Sequence, residues 1–537
     1  MQLPIKAVLY LGKQVLPFNT ENFNELLETL VSTSTIDIRE HYKTIRHLFT
    51  SETGFQMEIL DCLSKYLEEV IQKELKKSNF FSFQIDDVSI NKQSQCSIIV
   101  RYVLPDDGLV RERFLGFHQT NPDKNPNDLS EMIMDYVARY MFPSKLIAQS
   151  YDGSCIKSEH LKLLEETIKS KSDASFVHSS AHKLNFLLEQ SCNGNSKFSA
   201  FFANVSSLLS FFHQCAKYSC VAETSAGKGM EEATSTLDVL TLVNNCWDDL
   251  KDLFTHIIEK TDSDPLLIKK SRYFLKVFTD EFEFALLAAI FGDIFDLTET
   301  FCQELQKVSY TKIDNCISEF SKVQKLLMEK RNKSAFQELY FPTLIRATPL
   351  HPEHEDIYKN MYYEILDTIL VQLNTRFENI NKIRMFTLFH ISKLGKLPKD
   401  SLCCIKETYP NIFTESRIQR LKTELQLIYA DEKYQVTNPQ ELLTVLNNDS
   451  DVLKESYKLF CLLLAIPFTR VGTTSCLDKV KNYLSKASTE ERLPAMANIS
   501  IEKDLVNELI NTQPFYEDVI DRFAELTSPK IDLILKK

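Results

Sequence analysis

The sequence predicts a mostly helical chain built around one small β-sheet, an α/β core inside an otherwise all-α protein. Three observations predict it. The runs Asn79–Asp87, Gln95–Val103 and Leu109–Phe117 are short and rich in β-branched and aromatic residues, a composition that suits pleated strands. The 537 residues include only 11 Gly and 17 Pro, so turns are few and elements long. From about residue 230 to 455, helical patterns follow one another and break only at Asp264-Pro265, Phe341-Pro342, Pro349–Pro352, Leu397-Pro398 and Asn438-Pro439.

Taken in order, residues 1–78 read as helices. Ile5 to Leu11 is an apolar start that Gly12-Lys13-Gln14 interrupts, and Pro17-Phe18-Asn19-Thr20 is a break. Thr20 is placed to cap the next helix. From Glu52 to Lys77 apolar residues recur at Met57, Leu60, Leu63, Leu67 and Ile71, the spacing of an amphipathic helix. The three strands form an antiparallel meander, with Pro105-Asp106-Asp107-Gly108 as the turn between the second and third: Pro fixes φ and Gly takes the positive φ. A helix from Asn127 to Tyr140, a fourth strand at Leu146–Tyr151, a helix from Lys157 to Lys169, a short fifth strand from Ser175 to His178 and a helix from Ala181 follow. The order β-β-β-α-β-α-β-α is that of a ribonuclease-H-like sheet.

Composition bounds the function. The chain is 44% hydrophobic and 25% charged, normal for a globular protein, and its length calls for two to four domains. A net charge of −12 argues against a surface that mainly coats DNA, because phosphate binding needs clustered Lys and Arg. The 13 cysteines are scattered, several in apolar runs (Cys62, Cys246, Cys302, Cys461), which suits reduced core thiols in an intracellular protein. No run has the length of a membrane span, and none has the form of a signal peptide. No Cys/His cluster precedes Cys62, so no zinc-binding module is expected ahead of it.

Candidate chemistry lies at the strand ends. Asp86 and Asp87 close the first strand, and Asp152 follows the fourth. Acids at the ends of neighbouring strands supply the hard oxygen ligands that a divalent metal takes. His178 and His182 stand four apart, but across a strand end and without a third ligand. They are expected to fix a strand–helix junction through hydrogen bonds and to bind no metal.

These runs resemble the catalytic domain of hAT-family transposases. The branch is the one found in the transposon-derived regions of zinc finger MYM-type and TTF-type proteins and of a THAP-domain repressor. The resemblance rests on Ile85-Asp86-Asp87-Val88-Ser89, Val100-Arg101-Tyr102-Val103, Arg113-Phe114-Leu115-Gly116-Phe117 and Gln149-Ser150-Tyr151-Asp152-Gly153. Towards the C-terminus it continues in Leu462–Pro467, Val480–Leu484, Glu490–Leu493 and Ile499-Ser500-Ile501-Glu502. It implies a ribonuclease-H-like core, a large all-helical insertion and a C-terminal helical dimerisation region. Four segments follow: 1–78 N-terminal helices, 79–225 the first part of the core, 226–454 the insertion, and 455–537 the dimerisation region completing the core.

The resemblance also places three catalytic acids. Alignment back from Arg101-Tyr102 gives Asp86 for the first; alignment forward on an acid-plus-Ser pattern gives Asp87. The second is Asp152. The third, a glutamate in the family, is Thr474 here, and an uncharged hydroxyl is no substitute for a carboxylate on Mg²⁺. Asp478, one helical turn on, is the substitute ligand in the rival reading. The family tryptophan is missing near 230, the one tryptophan being Trp247. The expectation is therefore a domesticated hAT transposase that has lost catalysis. It would be a nuclear, homodimeric protein-interaction or chromatin-associated regulator, with no cofactor, no membrane association and weak DNA binding. The rivals are a working metal-dependent DNA nuclease and an adaptor in kinase or ubiquitin-like signalling.

Overall fold

A computed structural model describes residues 1–17, 19–50, 55–87, 95–119, 131, 135, 143–151, 166–170, 172, 174–176, 195–215, 230, 233–259, 264–306, 313–347, 355–377, 380–391, 399–436, 438–467, 476–486, 494–512 and 514–526. The chain is mostly helical with one small mixed sheet. It forms two compact units, one of Met1–Ser179 with Leu388–Lys537, the other of Ser180–Thr387.

The first unit holds the sheet. Its strands are β1 (Phe81–Asp87), β2 (Gln95–Leu104), β3 (Leu109–Gln119), β4 (Leu146–Tyr151) and β5 (Ser175–Phe176), in the order β3-β2-β1-β4-β5. β1, β2 and β3 pair antiparallel; β4 runs parallel to β1, and β5 parallel to β4. The meander turn is as expected: Gly108 has φ +68°, and the Asp107 carboxylate accepts the Leu109 amide at 2.8 Å. A β-bulge lies where Ile98 pairs with Gly116 but Ile99 pairs with Phe114. Gly116 takes φ +146° there, which a side chain would oppose.

Both faces of the sheet are covered. Phe81, Phe83, Ile85, Cys96, Ile98, Val100 and Tyr102 share one core with α1 (Gln2–Gln14), α2 (Thr20–Ser32), α4 (Phe55–Lys77) and the C-terminal helices α18 (Pro494–Ile501), α19 (Lys503–Ile510) and α20 (Phe515–Leu526). Ile99 and Phe114 face the other way, onto Cys476, Leu477, Val480 and Tyr483 of α17 (Cys476–Lys486). β2 is therefore buried along nearly its whole length, which is why it reads as a mostly apolar run broken by Ser97 and Arg101. α3 (Ile36–Thr50) packs on α2 and α4.

Several local expectations need correction. Asn19, not Thr20, caps α2: its side chain accepts the Asn22 amide at 2.8 Å. Thr20 is already helical, and its hydroxyl accepts Gln56 Nε2 at 3.2 Å. Gly12 does not interrupt α1, which runs to Gln14. It lets α1 approach α18, since a Cβ at residue 12 would stand 2.9 Å from Ile499 Cγ2. The expected helices at 127–140 and 181–190 lie outside the described residues apart from positions 131 and 135. The helix expected over 157–169 is described only at 166–170, where it is helical.

The sheet-bearing unit resumes in sequence at Leu388. Helices α13 (Lys399–Thr408), α14 (Glu415–Ala430), α15 (Pro439–Asn448) and α16 (Lys454–Ala465) belong to the sheet unit. Polar bonds fix them there. Tyr409 donates to the Ile147 carbonyl at 3.2 Å and meets Ser175 Oγ at 3.1 Å. Gln440 accepts the Val110 amide at 2.9 Å.

The second unit is all helical in its described residues: α5 (Ser196–Cys215), α6 (Thr236–Asn245), α7 (Trp247–Glu259), α8 (Pro265–Asp280), α9 (Phe282–Gln306), α10 (Ile313–Lys330), α11 (Lys333–Arg346) and α12 (Glu355–Phe377). Aromatic rings fill its interior. Phe201 and Phe202 of α5 lie 5.5 and 4.7 Å from Phe291 of α9, and Trp247 stacks on Phe278 at 4.2 Å. α5 holds Phe211 and Phe212 in this core. The expected break at Pro342 is absent, since α11 runs through it to Arg346. Pro342 is exposed and close to the helix end, where losing one amide costs least.

The close approach at Gly12 gives a first prediction. Gly12→Val should destabilise the sheet unit by roughly 1–3 kcal/mol through overpacking against Ile499. Urea unfolding followed by far-UV circular dichroism would measure it, and a neutral result would sink the close-approach account.

Candidate functional site

β1 and β4 end side by side. Their parallel register runs to the Ile85–Tyr151 pair, so both strands finish at the same edge of the sheet. Asp86 comes one residue beyond that pair and is 2% exposed. It pairs across to Ser97, whose Oγ lies 3.5 Å from the Asp86 carbonyl. By strand alternation Asp86 shares its face with Ser82, Ser97, Ile99 and Arg101, the face covered by α16 and α17.

The remaining sites can be placed only in part. Asp87 closes β1, and its side chain lies outside the described ones. Asp152, Thr474, His178 and His182 also lie outside the described residues. Asp478 stands in the first turn of α17, half-buried. Among the described residues, no group of three or more His, Cys, Asp or Glu side chains is arranged to hold a metal ion.

What the described residues do bring together is a set of buried charges. On the Asp86 face, Arg101 and Glu112 form an ion pair across β2 and β3 at 3.3 Å, the guanidinium 2% exposed. Each partner also holds a helix end. Arg101 Nε donates to the Leu464 carbonyl at 2.8 Å, in the last turn of α16. The other Glu112 oxygen accepts the Cys476 amide at 2.9 Å, at the start of α17. Cation at a helix C-terminus and anion at an N-terminus are the favourable placements for the helix dipoles. Ser82 adds a hydroxyl bond to the Ala465 carbonyl at 2.5 Å.

On the opposite face, Arg113 bridges two carboxylates. It donates to Glu74 of α4 at 3.2 Å and to Glu502, between α18 and α19, at 3.3 Å. The second Glu502 oxygen accepts the Phe114 amide at 2.7 Å, and the Tyr102 hydroxyl donates to Glu74. Burial opposes the charge on Arg113, but Glu502, Tyr102 and Glu74 together hold it firmly protonated. Burial, then Glu74, pushes the Tyr102 phenol well up. Burial also raises Glu502, outweighing the pull of Arg113 and the Phe114 amide.

Sequence reasoning used Arg101, Arg113 and Glu502 only as markers for alignment, and missed their partners. The available signal was a charge inside an apolar strand run, since a buried charge requires an opposite one. Several thiols lie in the core. Cys62, Cys461 and Cys476 are buried, and burial pushes Cys62 up to about 11 and Cys461 up to about 12. No described helix is long and apolar enough to cross a membrane.

Comparison with known proteins bears on the same part of the chain. Residues 4–161 match the family described as ZMYM1/FAM200, RNase-like domain. That stretch contains β1 to β4, and the small mixed sheet is consistent with a ribonuclease-like domain. The chain is also 29% identical over 128 residues to the human protein called 52 kDa repressor of the inhibitor of the protein kinase. The aligned stretch covers 21% of this chain and 17% of that protein.

Two predictions follow from the buried charges. Arg101→Met leaves Glu112, only 14% exposed, without its cation and should cost roughly 1–3 kcal/mol, less than a fully buried orphaned charge. Hydrogen exchange should show the Cys476 amide losing protection, and unchanged protection there would contradict the pairing. The second concerns pH. Glu502 is raised in the folded state, so folding favours its protonated form. Its contribution is complete below the ordinary value of 4.5 and is lost as pH rises through the folded value. Glu502→Gln should therefore flatten that part of the stability–pH curve, as read from urea midpoints across the acidic range.

Proposed function

We propose that this chain is a transposase-derived regulatory protein, of hAT descent, that no longer cuts DNA. The observation that carries the proposal is Thr474 at the position where the resemblance places the third catalytic carboxylate. Two acids alone do not assemble the metal pair that in-line phosphoryl transfer uses. The match of residues 4–161 to a ribonuclease-like domain supports the transposase descent. The likeness to a protein whose name says repressor supports a regulatory role.

In this reading Asp86 and Asp152 are remnants of a metal site, and Asp86 has become part of the packed sheet face. The chain works through protein partners, in the nucleus, as a homodimer joined through its C-terminal helices. DNA contact is secondary.

Calorimetric titration of Mn²⁺ into the full chain, beside Asp86→Asn and Asp152→Ala, tests this. No saturable binding in any of the three, with no strand cleavage of duplex DNA, is the expected outcome. Saturable binding that both substitutions abolish, together with cleavage, would overturn the proposal in favour of a working nuclease.

A further inference from the structure

Helices α7 and α8 form a hairpin whose exposed ridges carry opposite charge. Their rings fix the arrangement: Trp247 meets Phe278, and further along Phe254 meets Phe274 at 5.8 Å. The helices therefore run antiparallel, with Trp247, Leu250, Phe254 and Ile257 of α7 and Leu267, Ser271, Phe274 and Phe278 of α8 turned inward. The outward ridge of α7 carries Asp248, Asp252 and Glu259, at spacings that keep them on one side, with Asp249 beside them. The outward ridge of α8 carries Lys269, Arg272 and Lys276, spaced i, i+3 and i+7. All of these residues are exposed.

The two ridges do not neutralise each other by direct contact. Lys269, Arg272 and Lys276 form no ion pair among the described residues, and the single pair on α7 joins Lys251 to Asp248 within that helix at 4.0 Å. Nor does the flanking helix α5 supply counter-charge. It contains no Asp or Glu and offers α8 only neutral amides in these contacts, Asn204 to Tyr273 at 2.7 Å and Gln214 to Lys270 at 3.1 Å. Two apolar side chains stand exposed on α8, Leu266 at 54% and Tyr273 at 50%.

We propose that this hairpin face docks on the same face of a second copy of the chain. A two-fold axis parallel to the hairpin lays α7 of each copy over α8 of the other, antiparallel to it. The register of the ring contacts sets residue n of α7 opposite a residue near 526−n of α8. Asp248 of one copy then falls near Lys276 of the other, Asp252 near Arg272 and Lys276, and Glu259 near Lys269. Each contact occurs twice, as in any isologous interface. The net charge of −12 does not prevent this. At about 0.1 M salt the Debye length is ~10 Å, so remote surface charge is screened and charges in contact dominate. The proposal is independent of any association through the C-terminal helices, which would bury apolar surface and be insensitive to salt.

The test is sedimentation velocity on the full chain. The wild type should show, beyond any salt-resistant dimer joined through the C-terminal helices, a further association step at low ionic strength that disappears in about 1 M salt, where the Debye length is ~3 Å. Reversing the basic ridge (Lys269→Glu, Arg272→Glu, Lys276→Glu) or the acidic ridge (Asp248→Lys, Asp252→Lys, Glu259→Lys) should each weaken that step about tenfold or more. Mixing the two reversed proteins should restore it, because an all-acidic hairpin then meets an all-basic one. Absence of any salt-sensitive association step in the wild type would overturn the proposal. So would a step that survives both reversals, or failure of the mixture to recover it. Loss of duplex-DNA retention in the basic reversal, with self-association unchanged, would also overturn it and assign the ridge to a nucleic acid.

Discussion

The first unit depends on the ion pair between Arg101 and Glu112. Neither residue is tolerable alone on a buried sheet face, where an unpaired charge costs several kcal/mol. Together they neutralise each other and keep bonding capacity to spare. Arg101 uses the remainder on the closing carbonyls of α16, and Glu112 uses its second oxygen on the opening amide of α17. One cross-strand pair thus fixes where one helix stops and the next starts, more than 360 residues away in the chain. The placement of Ile99 and Phe114 against Val480 and Tyr483 follows from that anchoring.

A second buried network makes the matching connection on the other face. Arg113, shared between Glu74 and Glu502, ties the third strand both to α4, which precedes the sheet, and to the chain that closes the fold. With two carboxylates around one guanidinium the cluster holds an excess of acid. Its position beside Tyr102 and the Phe114 amide explains how the desolvated charges are tolerated. The sheet is therefore held to its covering helices by charges at defined points, with aliphatic and aromatic packing filling the space between them. Such points reinforce the register that the buried apolar pattern and the Gly108 turn already set.

Much of this architecture was legible beforehand. The strands of the meander, the Gly108 turn, the long amphipathic α4 and the presence of a fourth strand all follow from composition and spacing, because burial on two faces leaves so plain a mark on β2. What was not legible depended on distant partners. Gly12 reads as a helix interruption until Ile499 is seen against it, and Thr20 reads as a cap until Asn19 is seen in that position. The bond from Tyr409 to Ile147 was likewise invisible, because helical periodicity says nothing of which strand a tyrosine reaches. At the strand ends, the sequence left Asp86 and Asp87 as alternatives. Strand register puts Asp86 on the face of α16 and α17, a distinction that spacing alone does not carry. The residues that make the resemblance recognisable, Arg101, Arg113 and Glu502, are largely those that hold the sheet together.

The first unit is discontinuous in sequence, with the whole of Ser180–Thr387 between its two parts, and this bears on how the chain leaves the ribosome. At roughly 5–20 residues per second, the intervening stretch takes about 10–40 s to synthesise. During that interval β1 to β3 exist without α16 or α17, and Ile99, Arg101 and Phe114 have nothing to pack against. The second unit, contiguous and rich in local helical contacts, has no such delay. The nascent chain thus carries a finished helical unit behind an uncovered sheet, and that sheet needs protection from association until the last third of the protein arrives.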